Sequence, residues 1–271
     1  MSDLMNSARC VMLLLTAATL APRAGLAQSL EERVAAAPGR VAFEFDTRDN
    51  VCGDGNGIHI SDDASPGWNL LRQRRGVTIR HRGDDASPCE IAPARAVVEH
   101  EGRRVTSVRV SVGGSPARAD RELGSVTAEE AARFLLTAAP RLDGRSADDA
   151  LVGANIADVS RVWPRLLEIA RDDAASETAR KSALFWLSQE AAEAAVAGLA
   201  DVAEDDDAAA SVRVDAVFHL AQRKDGSGIE PLIRIVRKSK SARIRKDALW
   251  HLGRSRDPRA LALFAELLAG R

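Results

Sequence analysis

The chain contains no tyrosine, and its six Phe and four Trp amount to 4% of 271 residues. A base-stacking surface or an aromatic sugar platform therefore has little to be built from. Neither charge sign is in excess: 38 Lys and Arg face 39 Asp and Glu, a net charge of −1. That balance speaks against a nucleic-acid partner and against a polyanionic tail. Methionine is confined to Met1, Met5 and Met12, and there are three cysteines. No segment reaches the ~20 apolar residues of a membrane-spanning helix. What is abundant is hydrophobic residues, at 45%, enough for a packed core and against wholesale disorder.

The longest apolar run, Val11 to Leu20, reads VMLLLTAATL. As a helix it rises ~15 Å, about half the bilayer core, so a spanning anchor is disfavoured. Arg9 lies just before the run, and Gly25-Leu26-Ala27 presents small residues at the positions a signal peptidase reads. Residues 1–27 are expected to be a signal peptide cleaved before Gln28, which makes the chain exported, periplasmic or secreted. Cys10 precedes the apolar run and is badly placed for lipid attachment. Removing Asp3, Arg9 and Arg23 leaves a mature charge of −2.

Two cysteines then remain, Cys52 and Cys89. In an exported chain they most simply form one disulfide, closing a 37-residue separation worth ~3–4 kcal/mol by chain entropy. The alternatives are two free thiols or a metal pair with His59 or His81, and the metal reading lacks close ligand spacing such as CxxC. Around these cysteines the hydrophobic period is two. Val41, Phe43 and Phe45 alternate with polar neighbours, Val77 to Arg80 is a second strand candidate, and Arg95 to His100 with Arg103 to Val112 form a hairpin across Glu101-Gly102. Cys52 to Gly57 reads as a tight turn beside the disulfide. A calcium loop through Asp54 and Asn56 lacks the EF-hand spacing. Trp68 reads as a core plug. The expected division is an N-terminal linker at 28–40, a small β-rich domain at 41–116, a linker at 117–124 and a helical region at 125–271. That region opens with a helix capped at Thr127 or Ser125 and running to about Leu142, its last turn made irregular by Pro140.

The helical region repeats. From Ala150, Ala183, Ala216 and Ala248, spaced 33, 33 and 32 residues apart, the positions at offsets 0, 1, 4, 13, 16 and 19 are apolar in all four copies. Offsets 0, 1 and 4 form one helix face, and 13, 16 and 19 form a second. Breakers lie between them, as at Asp225-Gly226-Ser227-Gly228 and Arg256-Asp257-Pro258. Each copy is thus a helical hairpin with two apolar stripes that it cannot bury alone, and stacking four of them makes a continuous core. Three residues before the origin stand Arg180, Arg213 and Arg245, with Ala147 in the first copy. This column is expected to be a structural Arg ladder bonding turns and acidic residues rather than a phosphate site. The first copy also has Val152-Gly153 where the others carry Phe185-Trp186, Phe218-His219 and Trp250-His251, which suggests a worn or capping unit. His219 and His251 admit a metal pair or a pH switch, with groove or core packing the plainer reading.

The words Arg180 to Leu187, Arg213 to Leu220 and Arg245 to Leu252, the last running on to Asp257-Pro258-Arg259-Ala260-Leu261, resemble the HEAT-like repeat family, in particular the short variety first noted in phycobilin lyases. The resemblance covers about residues 145 to 271. It implies a right-handed α-solenoid that usually binds another protein, and it does not imply lyase activity. The expected fold class is α+β in two domains, a small β-rich domain followed by an α-solenoid of about four hairpins.

The second helix of each pair usually lines the concave face of such a stack, so Arg165, Glu168, Arg171, Arg234 and Arg237 are the candidate partner-binding residues. Four units give a groove ~30–40 Å long, suited to a helix or peptide. The basic run Arg234, Arg237, Lys238, Lys240, Arg243, Arg245, Lys246 is expected to be a solvated turn, with an acidic partner or an anionic lipid surface as alternatives. The leading function is a non-catalytic interaction or scaffold module with a protein or peptide partner and no cofactor. The runner-up is an enzyme or small-ligand binder with its site in the β domain or at the junction, drawing on His59, His81, Asp54 and Glu90, among which no nucleophile–base–orienter arrangement is readable.

Overall fold

A computed structural model of the chain describes residues 28–61, 77–80, 89–115, 117–159, 161–189, 193–223 and 225–270. The expected signal segment 1–27, Trp68 and His81 lie outside the described residues. The N-terminal part holds helix α1 (Leu30–Ala36) and seven strands: β1 (Val41–Phe45), β2 (Val51–Gly53), β3 (Ile58–Ser61), β4 (Val77–Arg80), β5 (Ala94–Glu101), β6 (Arg104–Val112) and β7 (Arg121–Ser125). A four-stranded sheet runs in the order β6-β5-β1-β7, and a three-stranded sheet in the order β2-β3-β4. The β5–β6 hairpin turns at Gly102, whose φ of 60° suits a residue without a Cβ. Phe43 and Phe45 on β1 are buried with Ala96 and Val98 of β5 and Val108 and Val110 of β6.

Two stretches expected to be linkers are ordered elements. Within 28–40, Ser29 and Glu32 form a reciprocal capping box, and Leu30 and Val34, one helical turn apart, are buried in the core. Arg33 Nη2 donates to the Leu123 carbonyl at 2.8 Å, tying α1 to β7. Within 117–124, the chain forms most of β7, a parallel edge strand beside β1. Polar contacts hold it rather than an apolar face: the Asp120 and Arg121 amides both donate to the Arg40 carbonyl, and Arg95 on β5 reaches Glu122 at 2.6 Å and Glu44 at 3.4 Å.

Cys52 and Cys89 are joined in a disulfide with a Cα separation of 5.4 Å. Cys52 sits inside β2, so only residues 54–57 of the expected turn are a turn. There Asp54 Oδ1 accepts from the Asn56 and Gly57 amides at 2.9 and 2.7 Å. The disulfide lies beside a reciprocal backbone bridge between Gly53 and Glu90, which together fasten the smaller sheet to the segment leading into β5.

The helical part begins with α2 (Ala128–Ala138), capped by a Thr127–Glu130 box and followed by a 3-10 turn through Pro140. Then come α3 (Gly144–Ile156), α4 (Trp163–Arg171), α5 (Glu177–Gln189), α6 (Glu193–Glu204), α7 (Ala210–Ala221), α8 (Ile229–Lys238), α9 (Ala242–Ser255) and α10 (Pro258–Leu268). The first helices α3, α5, α7 and α9 stack in order, and so do the second helices α4, α6, α8 and α10. The layout is α+β in two domains, a small sheet region followed by a helical repeat stack. All four origin alanines, Ala150, Ala183, Ala216 and Ala248, are fully buried. A side chain this small lets neighbouring helices approach closely. The second-helix stripe is buried in the inner copies and fails in the last: Leu261 is 63% exposed and Leu267 46%, while α10 buries Ala260 and Leu263 against its own neighbours.

One apolar core continues from the sheet into the helices. Phe43 meets Phe134 of α2 edge to face at 5.6 Å between centroids. Backbone bonds cross the junction from Arg48 N to Ile156 O, Asp158 N to Asp46 O and Val126 N to Glu44 O. Gly153 on α3 explains the atypical first copy: a Cβ there would lie 2.8 Å from Leu135 Cδ1 and 3.0 Å from Val110 Cγ2. The column that holds an aromatic or histidine ring in later copies is here the seat of the sheet and α2. Gly153→Trp, which places here the ring that Trp186 carries in the second copy, is therefore expected to lower stability by about 2–3 kcal/mol through overpacking. Thermal melting reads this directly, with an unchanged melting temperature contradicting the packed junction.

Candidate functional site

The candidate groove residues lie on the second helices, as the repeat register requires, but they are not free. Arg171 on α4 binds Asp201 on α6 at 2.6 Å, Glu204 on α6 binds Arg234 on α8 at 2.6 Å, and Arg237 on α8 binds Glu266 on α10 at 2.6 Å. Arg165 and Glu168 pair with each other within α4. The expected row of available cations is thus a ladder of ion pairs joining each second helix to the next. Asp201, Glu204 and Glu266 are the members that sequence reasoning missed; the readable signal was an acid 29 or 30 residues from each arginine. Glu204–Arg234 is half-buried and the other pairs are exposed, so each exposed pair contributes only ~0.2–1 kcal/mol and can be exchanged for an incoming charge at low cost.

The Arg column three residues before each origin spends its donors inside the stack. Arg180 binds Asp173 at 3.0 Å in the turn before its own helix. Arg213, 5% exposed, binds Asp206 at 2.8 Å, the Ala203 carbonyl at 3.1 Å and Ser239 Oγ at 3.3 Å. Arg245 donates to the Ser239 and Lys240 carbonyls. Each guanidinium closes the turn that links one hairpin to the next. The basic run divides accordingly: Arg234 and Arg237 join the ladder, Arg245 holds the turn, and Lys240 approaches Asp206 at 3.7 Å. Lys238, Arg243 and Lys246 are exposed with no ion-pair partner among the described residues.

The ring columns form a zigzag down the first helices. Phe185 contacts Trp186 at 4.9 Å and His219 of the next unit at 6.1 Å; Phe218 contacts His219 at 5.4 Å and His251 of the next unit at 6.0 Å; Trp250 contacts His251 at 4.7 Å. Phe218 touches both histidines, so their rings pack on a phenyl face and edge rather than converging on a shared ligand. Burial, reinforced by Arg254 and opposed by Asp247, lowers the His251 pKa below its ordinary value, which favours the neutral ring at this position.

At the junction, Asp149 on α3 is 7% exposed. Its Oδ2 lies 3.6 Å from Arg109 Nε of β6, 3.7 Å from Arg145 Nε and 3.4 Å from the Val110 amide. Desolvation outweighs these favourable partners and pushes its pKa up to about 6. Of the β-domain candidates, Asp54 caps its own turn, Glu90 Oε2 accepts from the Gly114 amide at 3.1 Å, and His59 is buried in β3. Among the described residues no helix is long and apolar enough to cross a membrane.

A family model of HEAT repeats matches residues 196–270, from α6 to α10. No curated protein matches the chain. The matched part contains the second half of the stack, including the Glu204–Arg234 and Arg237–Glu266 pairs of the second helices and a further pair between Arg259 on α10 and Glu230 on α8 at 3.8 Å.

The Asp149 carboxyl binds its proton more tightly in the folded chain than its ordinary value of 3.8 allows unfolded. Between those values the folded state holds more protons, so this group's contribution to stability improves as pH falls through about 6 towards 4 and worsens as pH rises. Denaturant titrations at pH 7.5 and pH 5 are expected to differ less in Asp149→Asn than in the unaltered chain. Equal pH dependence in both would show that the carboxylate is solvated and ordinary.

Proposed function

We propose that the protein is an exported, non-catalytic interaction or scaffold module that grips a protein or peptide through its helical repeat stack. The supporting observation is the second-helix ladder, Arg171–Asp201, Glu204–Arg234 and Arg237–Glu266. It is an array of alternating charges on rigid, mutually packed helices, largely exposed and cheaply exchanged, which is what a partner strand or helix with complementary charges needs. HEAT repeats generally mediate protein–protein interaction, and the matched repeats carry this face.

The reading is tested by replacing Arg165, Arg171, Arg234 and Arg237 together with alanine. Thermal stability is expected to fall only slightly, because each exposed pair contributes ~0.2–1 kcal/mol. Affinity capture from the cell-envelope fraction is expected to enrich a protein on the unaltered chain that the fourfold variant loses. Recovery of the same proteins by both would sink the groove reading. Export has its own support in the apolar run Val11 to Leu20 and in the Cys52–Cys89 disulfide, a bond that persists in oxidising compartments. Intact-mass analysis of the protein recovered from its native host is expected to give a chain starting at Gln28. A chain that keeps Met1 to Ala27 in a reducing compartment would refute export.

A further inference from the structure

The second unit of the stack receives the third by two contacts, and the first of them recurs between the third and the fourth. The ring two residues after the origin meets the ring three residues after the origin in the following unit, Phe185 with His219 and Phe218 with His251. The cation two residues before the origin of the second unit meets the acid one residue before the origin of the third, Lys181 with Asp215 at 3.7 Å, whereas the third unit carries Val214 at that position. At the other end of the stack the sheet side supplies the cation: Arg109 of β6 faces Asp149, which holds that same column in the first unit.

The fourth unit repeats both donors of the second, and among the described residues no ring or carboxylate of a further unit lies against them. Trp250 stands in the ring column and is 58% exposed, its face partly covered by Arg254 at 4.9 Å. Lys246 stands in the cation column, one helical turn before Trp250, with no carboxylate against it among the described residues. Beside them α10 exposes Leu261 at 63% and Leu268 at 90%. Arg243, Lys246, Trp250 and Arg254, at spacings of three and four, make one exposed cationic and aromatic stripe along α9.

We propose that this end plate is a second docking surface, and that its occupant is an amphipathic helix of another protein carrying an acidic residue one turn before a histidine or aromatic ring. The acid takes Lys246 as Asp215 takes Lys181, and the ring packs on Trp250 as His219 packs on Phe185. A second copy of this chain does not fit. A two-fold end-to-end pairing sets Arg243, Lys246 and Arg254 against their own counterparts, and the matching acid–ring pair of α9, Asp247 and His251, lies on the helix face already turned towards α7. The surface belongs to the same interaction role proposed above but uses none of the groove arginines, so the two stand or fall separately.

The probe is a fluorescein-labelled peptide of residues 209–223, which carries Asp215 and His219, stapled between positions 213 and 217 on the side away from both and checked for helicity by circular dichroism. Fluorescence anisotropy with the mature full chain is expected to show saturable binding. Trp250→Ala and Lys246→Glu should each weaken it about tenfold, with unchanged thermal melting because both side chains are exposed. An Asp215→Lys peptide should bind the Lys246→Glu chain better than the original peptide does. The fourfold groove variant should bind the peptide normally. Absence of saturable binding, or binding indifferent to both end-plate substitutions, overturns the proposal. So does self-association by sedimentation equilibrium that Trp250→Ala abolishes, which gives the face to a second copy. A Trp250-dependent response to phosphatidylglycerol vesicles without a response to the peptide gives it to a lipid surface and equally overturns the helix.

Discussion

A helical hairpin with an apolar stripe on each helix has nowhere to put the second stripe unless another hairpin lies against it. That single constraint organises the molecule. It explains why Ala150, Ala183, Ala216 and Ala248 are all fully buried: an alanine at the centre of each contact lets successive first helices approach closely enough to exclude water, where a larger residue would hold them apart. It also explains why the arginines before those alanines turn inward. Bringing hairpins together buries the carbonyls and carboxylates of the connecting turns, and Arg213, itself almost wholly buried, satisfies an acid and a carbonyl at the turn before α7 and a hydroxyl, Ser239 Oγ, at the turn before α9.

Stacking solves the problem for inner units and leaves it at the ends. At the N-terminal end the solution is the β domain. Its sheet presents Val108 and Val110 to α3, and the first unit has given up the ring its successors carry so that Val110 and Leu135 can reach the Gly153 backbone. The polar part of this join is less comfortable. Asp149 is drawn out of water between two arginines, and its raised pKa shows that their attraction does not repay the desolvation. The join is thus apolar at Phe43, Val110 and Leu135, and its buried carboxyl is the one polar group there, among the described residues, that favours its protonated form.

Much of this architecture was legible in the chain because the repeat is nearly free of insertions. Six apolar columns across four copies place eight helices with no knowledge of their contacts. The strands with alternating valines were equally plain. What escaped had weaker or different signals. α1 is two turns long and rests on two buried residues, although its Ser29–Glu32 capping box was there to be read. β7 has no apolar alternation because its order comes from Arg40, just before β1, and from Arg95 on β5, and such pairings are invisible before the strands are placed. The groove arginines could be placed on the second helices but their ion-pair partners could not be read, for a related reason. Helix periodicity tells which residues share a face of one helix, while the pairing of Arg171 with Asp201 depends on the offset between two helices.

The same offset bears on what the second-helix face can recognise. A row of unpaired arginines would attract any polyanion at long range and bind it with little selectivity. The observed row is charge-neutral pair by pair, so its long-range field is small, and a ligand gains only where its own charges displace existing partners in register. Register, in turn, is set by the repeat, because Asp201 and Arg171, like Glu204 and Arg234, are thirty residues apart in sequence and adjacent in space. Selectivity on this face therefore depends less on which charges are present than on the spacing that the buried alanines impose. A substitution deep in the stack, at Ala183 or Ala216, would shift that spacing without touching a single surface residue, and so would change the proposed recognition.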